Sequence, residues 1–455
     1  MDQTHTPPQR RPFAVATPHF ASGSDTPRMF LERCLADLAA WEPSVGAFTV
    51  TRVDAARRDA DAASQRWLAG TPLSPIDGMP VGIKDIIDTD DMPTEHGSAL
   101  FAGHQPRYGA ASAIALRMAG AVILGKTVTT EFAASEPRGT RNPWDLGRTP
   151  GGSSSGSAAA VAAGMVSGAM GTQVVGSIIR PAGFCGVVGY KPSLGGINRG
   201  GSLDLLSQSV SGTLAASLDD AWIMAMAIVA RVGGDPGFAG IMGPATPPAA
   251  KRPARLALLQ TGAWDVLEPG ARAALDGAVD ALRRAGIAIT TRQDSPALEA
   301  AEHAIFGAHA LTMAINAWEW RWPLGAFMAQ DSSVISASAH ARAEMAAAMT
   351  QAEYAAALAR RAEIRAVFSR LFGEVDALIS VTAPGPAPLG LESTGNAAFV
   401  VAGSLLGVPV VTLPVMQVNG LPLGLQVIGF SGGDAELFGV AAGIEAVLNA
   451  GLAGT

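Results

Sequence analysis

"RTPGGSSSGSAAAVAAGM", residues 148–165, is the stretch on which the reading of this chain turns. Three serines stand between glycines and run straight into small apolar residues. Serines so placed suggest chemistry, yet no histidine lies within about forty residues on either side. A base for them has to come from elsewhere in the chain.

The segments around this stretch set the fold class. From about 78 to 215, short β-branched runs such as "MPVGIKDIID" and "AGAVILGKTV" alternate with glycine turns and small-residue helices. A second rhythm follows, with "RLALLQTG" as strand, "GARAALDGAVDALRRAGI" as helix and "IAITTR" as strand. Helical periodicity covers roughly 27–41 and 54–69, and residues 296–372, rich in alanine and arginine, predict several more helices. "DALISV" and "VPVVTLPV" then return to buried-strand character. The expected architecture is α/β: one domain over 27–455, a central mixed β-sheet surrounded by α-helices, after a loose proline-rich lead-in over 1–26.

Composition narrows the function. With 48% hydrophobic and 16% charged residues, most of the chain can fill a core, which excludes disorder. Net charge is −7 and no lysine/arginine cluster occurs, so no nucleic-acid partner is expected. Apolar runs are broken well short of a membrane span, and the N-terminus lacks the apolar core of a signal peptide. Cys34 and Cys185 make neither a zinc pattern nor a disulfide framework. The expectation is therefore a cytoplasmic protein with no membrane contact, metal or cofactor.

Two short motifs are decoys. "GAVILGKT", Gly120 to Thr127, matches the phosphate-loop pattern, but its loop letters read as a strand and "TVTTEF" after it is a poor helix start. A strand ending in a structural lysine is the better account. "GSSSG" matches the hydrolase nucleophile elbow with Ser154 at its centre. That elbow needs a buried strand just before it, and here "RNPWDLGRTP" precedes it.

The lysines are more informative. Of 32 basic residues only Lys84, Lys126, Lys191 and Lys251 are lysine. A desolvated lysine can lose its proton and act as a base, which arginine cannot. Lys84 lies in the apolar "GMPVGIKDIID". Neutrality near pH 7 asks for about 4.6 kcal/mol of desolvation, within the range known for buried lysines. An ion pair with Asp85 is the alternative, and this segment alone leaves both open. Ser177, in "GTQVVGSIIRPAGFCGVVGYKPS", follows a glycine as a nucleophile beside an oxyanion-binding backbone should, although turn serines are common.

Taken in order, "VGIKD", then "PGGSSSGSAAAVAAG" 69 residues on, then "GS-apolar…RPA" 24 residues later resemble the amidase signature family. "AGAVILGKTVTTEFA", "GYKPSLGGI" and "GVPVVTLPVMQVNGLPLGLQVIG" extend the resemblance over most of the chain. It implies an amidase-signature fold and an amidase with a serine–serine–lysine triad. Lys84 is then the base, Ser153 the bridging serine and Ser177 the nucleophile. The backbone of Val174, Val175, Gly176 and Ser177 forms the oxyanion hole, and Ser154, Thr172 and Arg180 meet a small amide substrate. The resemblance also allows a homodimer.

Two departures stand out. The family usually writes Asp-Thr-Gly-Gly-Ser where this chain has Gln173-Val174-Val175-Gly176-Ser177. A left-handed φ at Val175 would cost about 1–2 kcal/mol, so strain or rearrangement is expected there. The usual Ser-Ile-Arg-x-Pro becomes Ser177-Ile178-Ile179-Arg180-Pro181, which in an extended segment turns the arginine to the other face. That arrangement resembles the malonamidase branch, where such an arginine binds a substrate carboxylate. The leading expectation is hydrolysis of a small, carboxylate-bearing amide. Its alternatives are the glutaminase-type subunit of a tRNA-dependent amidotransferase and a non-catalytic binding protein on the same fold.

Overall fold

A computed structural model describes residues 7–134 and 136–452. Eleven strands form one mixed sheet. They begin with β1 Phe48–Thr51, β2 Pro80–Lys84, β3 Val122–Thr127, β4 Gly168–Gln173, β5 Val188–Lys191 and β6 Val210–Ala215. They continue with β7 Arg255–Leu258, β8 Ala288–Thr290, β9 Ala377–Val381, β10 Val410–Val418 and β11 Leu421–Ile428. Across the sheet the order is β1-β3-β2-β4-β6-β5-β10-β11-β9-β7-β8.

Most of the central strands are buried end to end, as a sheet covered by helices on both faces requires. Alternation sorts their side chains between two cores. In β3, Val122 and Leu124 join one apolar cluster and Ile123 the other; in β4, Ala169 and Met170 divide likewise. The expected helical region resolves into Pro296–Ile305, Ala308–Asp331, Ala337–Ala348 and Gln351–Phe368.

β2 runs parallel to both β3 and β4. The chain therefore leaves three neighbouring strands at the same edge, the edge where α/β sheets place ligands. "GAVILGKT" is the strand β3 itself, so no phosphate loop exists there.

One expectation is corrected. Residues 1–6 lie outside the described residues, but 7–26 are not loose. Phe13 and Phe20 are fully buried and pack on Phe30. The backbone amides of Phe13 and Ala14 donate to the buried Asp220 carboxylate. Two phenylalanines supply enough apolar surface to anchor a segment whose prolines otherwise suggest a tail. Among the described residues, no helix is long and apolar enough to cross a membrane.

Candidate active site

Lys84 is the last residue of β2 and fully buried. Its Nζ lies 2.8 Å from Ser153 Oγ and 2.9 Å from Thr172 Oγ1. The ion pair considered with Asp85 does not form. Asp85 pairs instead with Lys126, at 3.2 Å. Burial with no adjacent carboxylate pushes the Lys84 amine down to about 7, against an opposing pull from Asp204. A neutral amine with a free lone pair is thus accessible near neutral pH.

Ser153 is nearly fully buried, just before the helix Ser155–Ala162. The next residue ties it to the second serine segment, because the Ser154 amide donates to the Ser177 carbonyl at 3.3 Å. No strand leads directly into Ser154, so the elbow motif is a coincidence of letters. Ser177 lines a cavity of about 520 Å³, whereas Lys84 and Ser153 are buried and do not line it.

Residues 174–177 are held through their carbonyls. Gln208 Nε2 donates to the Val174 carbonyl, Ser404 Oγ to that of Val175, and the Arg180 amide to that of Gly176. In a trans peptide, N–H and C=O point oppositely. Fixing these three carbonyls therefore turns the N–H groups of Val175, Gly176 and Ser177 away from those partners, leaving them free to donate elsewhere. Gln173, standing where the family carries aspartate, accepts the Ile178 and Ile179 amides at 2.8 and 3.0 Å.

Val175 does not take a left-handed φ, so the strain expected there is absent. Glycine is required next door for space: a Cβ on Gly176 would sit 2.3 Å from Val400 Cγ2.

Arg180 needs a further correction. It lies in the helix Ile179–Cys185, not in an extended segment, so the one-residue offset rotates it by about 100° and not to the opposite face. Its guanidinium donates to the Gly395 and Gly152 carbonyls and to Thr394 Oγ1. Among the described residues it has no carboxylate partner, and its Nε is buried without an acceptor. It lines the same cavity as Ser177. Ser154 and Thr172, expected to meet substrate, sit off that cavity: Thr172 holds Lys84, and Ser154 Oγ donates to the Thr172 carbonyl.

Sequence reasoning missed Asp204, Asn316 and Arg342, which line the cavity, and Gln208 and Ser404, which hold the loop. Each lies in a different segment with no recognisable motif around it. Among the described residues, no three His, Cys, Asp or Glu side chains gather as a metal site.

A serine at a cavity wall, a buried serine bonded to a desolvated lysine, and a backbone loop with free amides are the groups that acyl transfer uses. The Amidase family model matches residues 29–438. The chain belongs to the Amidase family. It is an amide-cleaving hydrolase. Among its relatives, the A subunit of the glutamyl-tRNA(Gln) amidotransferase of Chloroflexus aggregans is 32% identical, over 92% of this chain and 93% of that one. The same-named subunit of Anaeromyxobacter sp. (strain K) is 33% identical, over 91% and 92%. The fold is shared with a crystal structure of an amidase, at TM-score 0.83 and 27% identity over 96% and 99% of the two chains. It is shared too with the peptide amidase of Stenotrophomonas maltophilia, at TM-score 0.77 and 26% identity over 96% of each.

These relatives overturn the expectation of no nucleic-acid partner, since each is named as part of an enzyme with a tRNA in its name. Net charge describes only a chain's own surface. It is silent about a substrate reached through partner subunits.

Proposed function

We propose that this amidase cleaves the side-chain amide of glutamine, as the glutaminase-type component of a larger enzyme, in the manner of the A subunit of glutamyl-tRNA(Gln) amidotransferase. The observation that carries this is the likeness of about a third of all positions over nine-tenths of both chains. On this reading the ammonia released serves a tRNA-linked acceptor, and partner subunits complete the enzyme.

In the proposed mechanism, Ser177 Oγ attacks the amide carbon while its proton passes to Ser153 Oγ. Ser153 gives its own proton to the lone pair of neutral Lys84. The N–H groups of Val175, Gly176 and Ser177 hold the oxyanion. The proton on Lys84 returns through Ser153 to the departing nitrogen, ammonia leaves, and water hydrolyses the acyl ester on Ser177. Arg180, free of any protein carboxylate, binds the substrate's carboxylate and orients it.

A second reading, a stand-alone hydrolase of small half-amides in the malonamidase manner, is favoured by the offset and unpaired state of Arg180. Ammonia release from glutamine and from malonamate, by the chain alone and with any co-purifying subunits, separates the two. Turnover of glutamine supports the first reading; turnover of malonamate alone, without partners, replaces it with the second. Arg180→Ala is expected to cost about 2–4 kcal/mol in kcat/KM on the carboxylate-bearing amide and little on its neutral methyl ester. Equal losses on both would make Arg180 a support for the loops it touches.

A further inference from the structure

The cavity in front of Ser177 carries more charge than one carboxylate-binding arginine explains. Arg342, from the helix Ala337–Ala348, lines it together with Asp204 and Asn316. Asp204 and Asn316 are each only 3% exposed, and Oδ1 of each is buried with no donor among the described residues. Asp204 makes no ion pair among those residues. Arg342 feels its charge, as does Lys84, but neither touches it. A carboxylate withdrawn from water keeps its charge at low cost only when a partner supplies hydrogen-bond donors.

The unmet groups of this cavity are therefore of two kinds. Arg180 and Arg342 offer donors to an anion. Asp204 and Asn316 offer acceptors that nothing in the protein fills. A primary ammonium has three donors and no acceptor, which matches the second set. We infer that Asp204, with Asn316, forms a subsite for a protonated amine, so that the substrate is an α-amino-acid amide and not a simple half-amide. This rests on the reading of the Ser177 cavity as the amide-hydrolysing site.

Two matched pairs of substrates test it, each differing only in the α-amine: L-glutamine against glutaramate, and L-asparagine against succinamate. The readout is the ratio of kcat/KM within each pair, for the wild-type protein with any subunits that co-purify. The amine-bearing member is expected to win by about 30- to 100-fold, the worth of a charged hydrogen bond in a buried site. Asp204→Asn, which keeps shape and removes charge, is expected to bring the ratio close to one. Asn316→Leu is expected to lower it less.

A wild-type ratio near one overturns the subsite. So does an Asp204→Asn enzyme that loses equally on both members of a pair, because Asp204 then acts by holding Arg342 or by tuning Lys84. The glutamine reading fails separately. Asparagine preferred over succinamate while glutamine is inert keeps the subsite and removes glutamine. Glutamine and glutaramate turned over alike keeps the glutamine reading and removes the subsite.

Discussion

Lys84 and Lys126 stand in adjacent parallel strands, Lys84 opposite Thr127 and Lys126 opposite Ile83. Both are fully buried, and strand alternation sends them to opposite faces of the sheet. Their surroundings then diverge. Lys126 meets the Asp85 carboxylate at 3.2 Å and Thr94 Oγ1 at 2.6 Å. Asp85 opposes the desolvation that lowers the Lys126 pKa. Among the described residues Lys84 meets only hydroxyls and a carbonyl, and its amine falls to about 7. Lys191 adds a third case. Burial takes it to about 7 as well, but among the described residues its Nζ donates only to the Pro192 carbonyl. Desolvation alone does not make a base. The lysine also needs a hydroxyl that leads to the cavity, and only Lys84 has one among these three.

This contrast can be broken most sharply by exchanging each lysine for arginine. Lys84→Arg keeps a cation but has no lone pair to offer, and is expected to lose on the order of 10⁴-fold in kcat, the same loss expected of Lys84→Ala and Ser177→Ala. Lys126→Arg is expected to keep most turnover. A Lys84→Arg enzyme with near-normal kcat would place Lys84 in the same class as Lys126.

Stability should show the reverse. Lys126→Met leaves Asp85 buried without its cation and is expected to cost about 3 kcal/mol, read by denaturant unfolding. Lys84→Met has no such carboxylate to strand and should cost less. If the two cost the same, the pairing drawn for Asp85 is wrong.

The pH profile sharpens the comparison further. Lys84 acts as a base only when neutral, so kcat/KM should fall tenfold per unit on the acid side of about pH 7 and level off above it. Lys126→Arg should leave this limb where it is. An acid limb that moves in Lys126→Arg would assign it to the wrong lysine.

The smallest effect concerns Lys191. Between about 7 and 10.5 the unfolded chain holds a proton on this residue that the folded chain does not. Folding stability therefore rises with pH across that window, and the penalty is greatest at or below pH 7. Lys191→Met is expected to melt about 2 °C above the wild type at pH 7, with the gap closing by pH 10. A gap that widens with pH would reverse the sign argued here.

Much of this was legible in the sequence because it is local. The order of strands and helices follows from periodicity; the scarcity of lysine singles out Lys84, and its grouping with Ser153 and Ser177 comes from the resemblance to the amidase signature family. Arg180 was found but mis-oriented, since "SIIRPAGFC" gives no signal that a helix starts at Ile179. Asp204, Asn316 and Arg342 could not be read at all. They converge from a loop and two helices, and nothing around an arginine in "HARAEM" separates a cavity wall from a solvated face. The packing of 7–26 was hidden for a related reason, because its anchor is Asp220, some 207 residues away.

The contacts that hold the 174–177 loop carry a consequence for synthesis. A ribosome has made the lysine and both serines by residue 177, yet Ser404, which fixes the Val175 carbonyl, and Gly395, which receives Arg180, lie 229 and 215 residues after the groups they hold. β5 also waits for β10, which starts at Val410, to cover its second edge. A nascent chain or a C-terminally clipped fragment therefore carries every reactive group without the scaffold that aligns them. Amide cleavage is expected only once the segments around Gly395 and Ser404 are made, and two separately made pieces divided between residues 215 and 377 should regain it only when they associate.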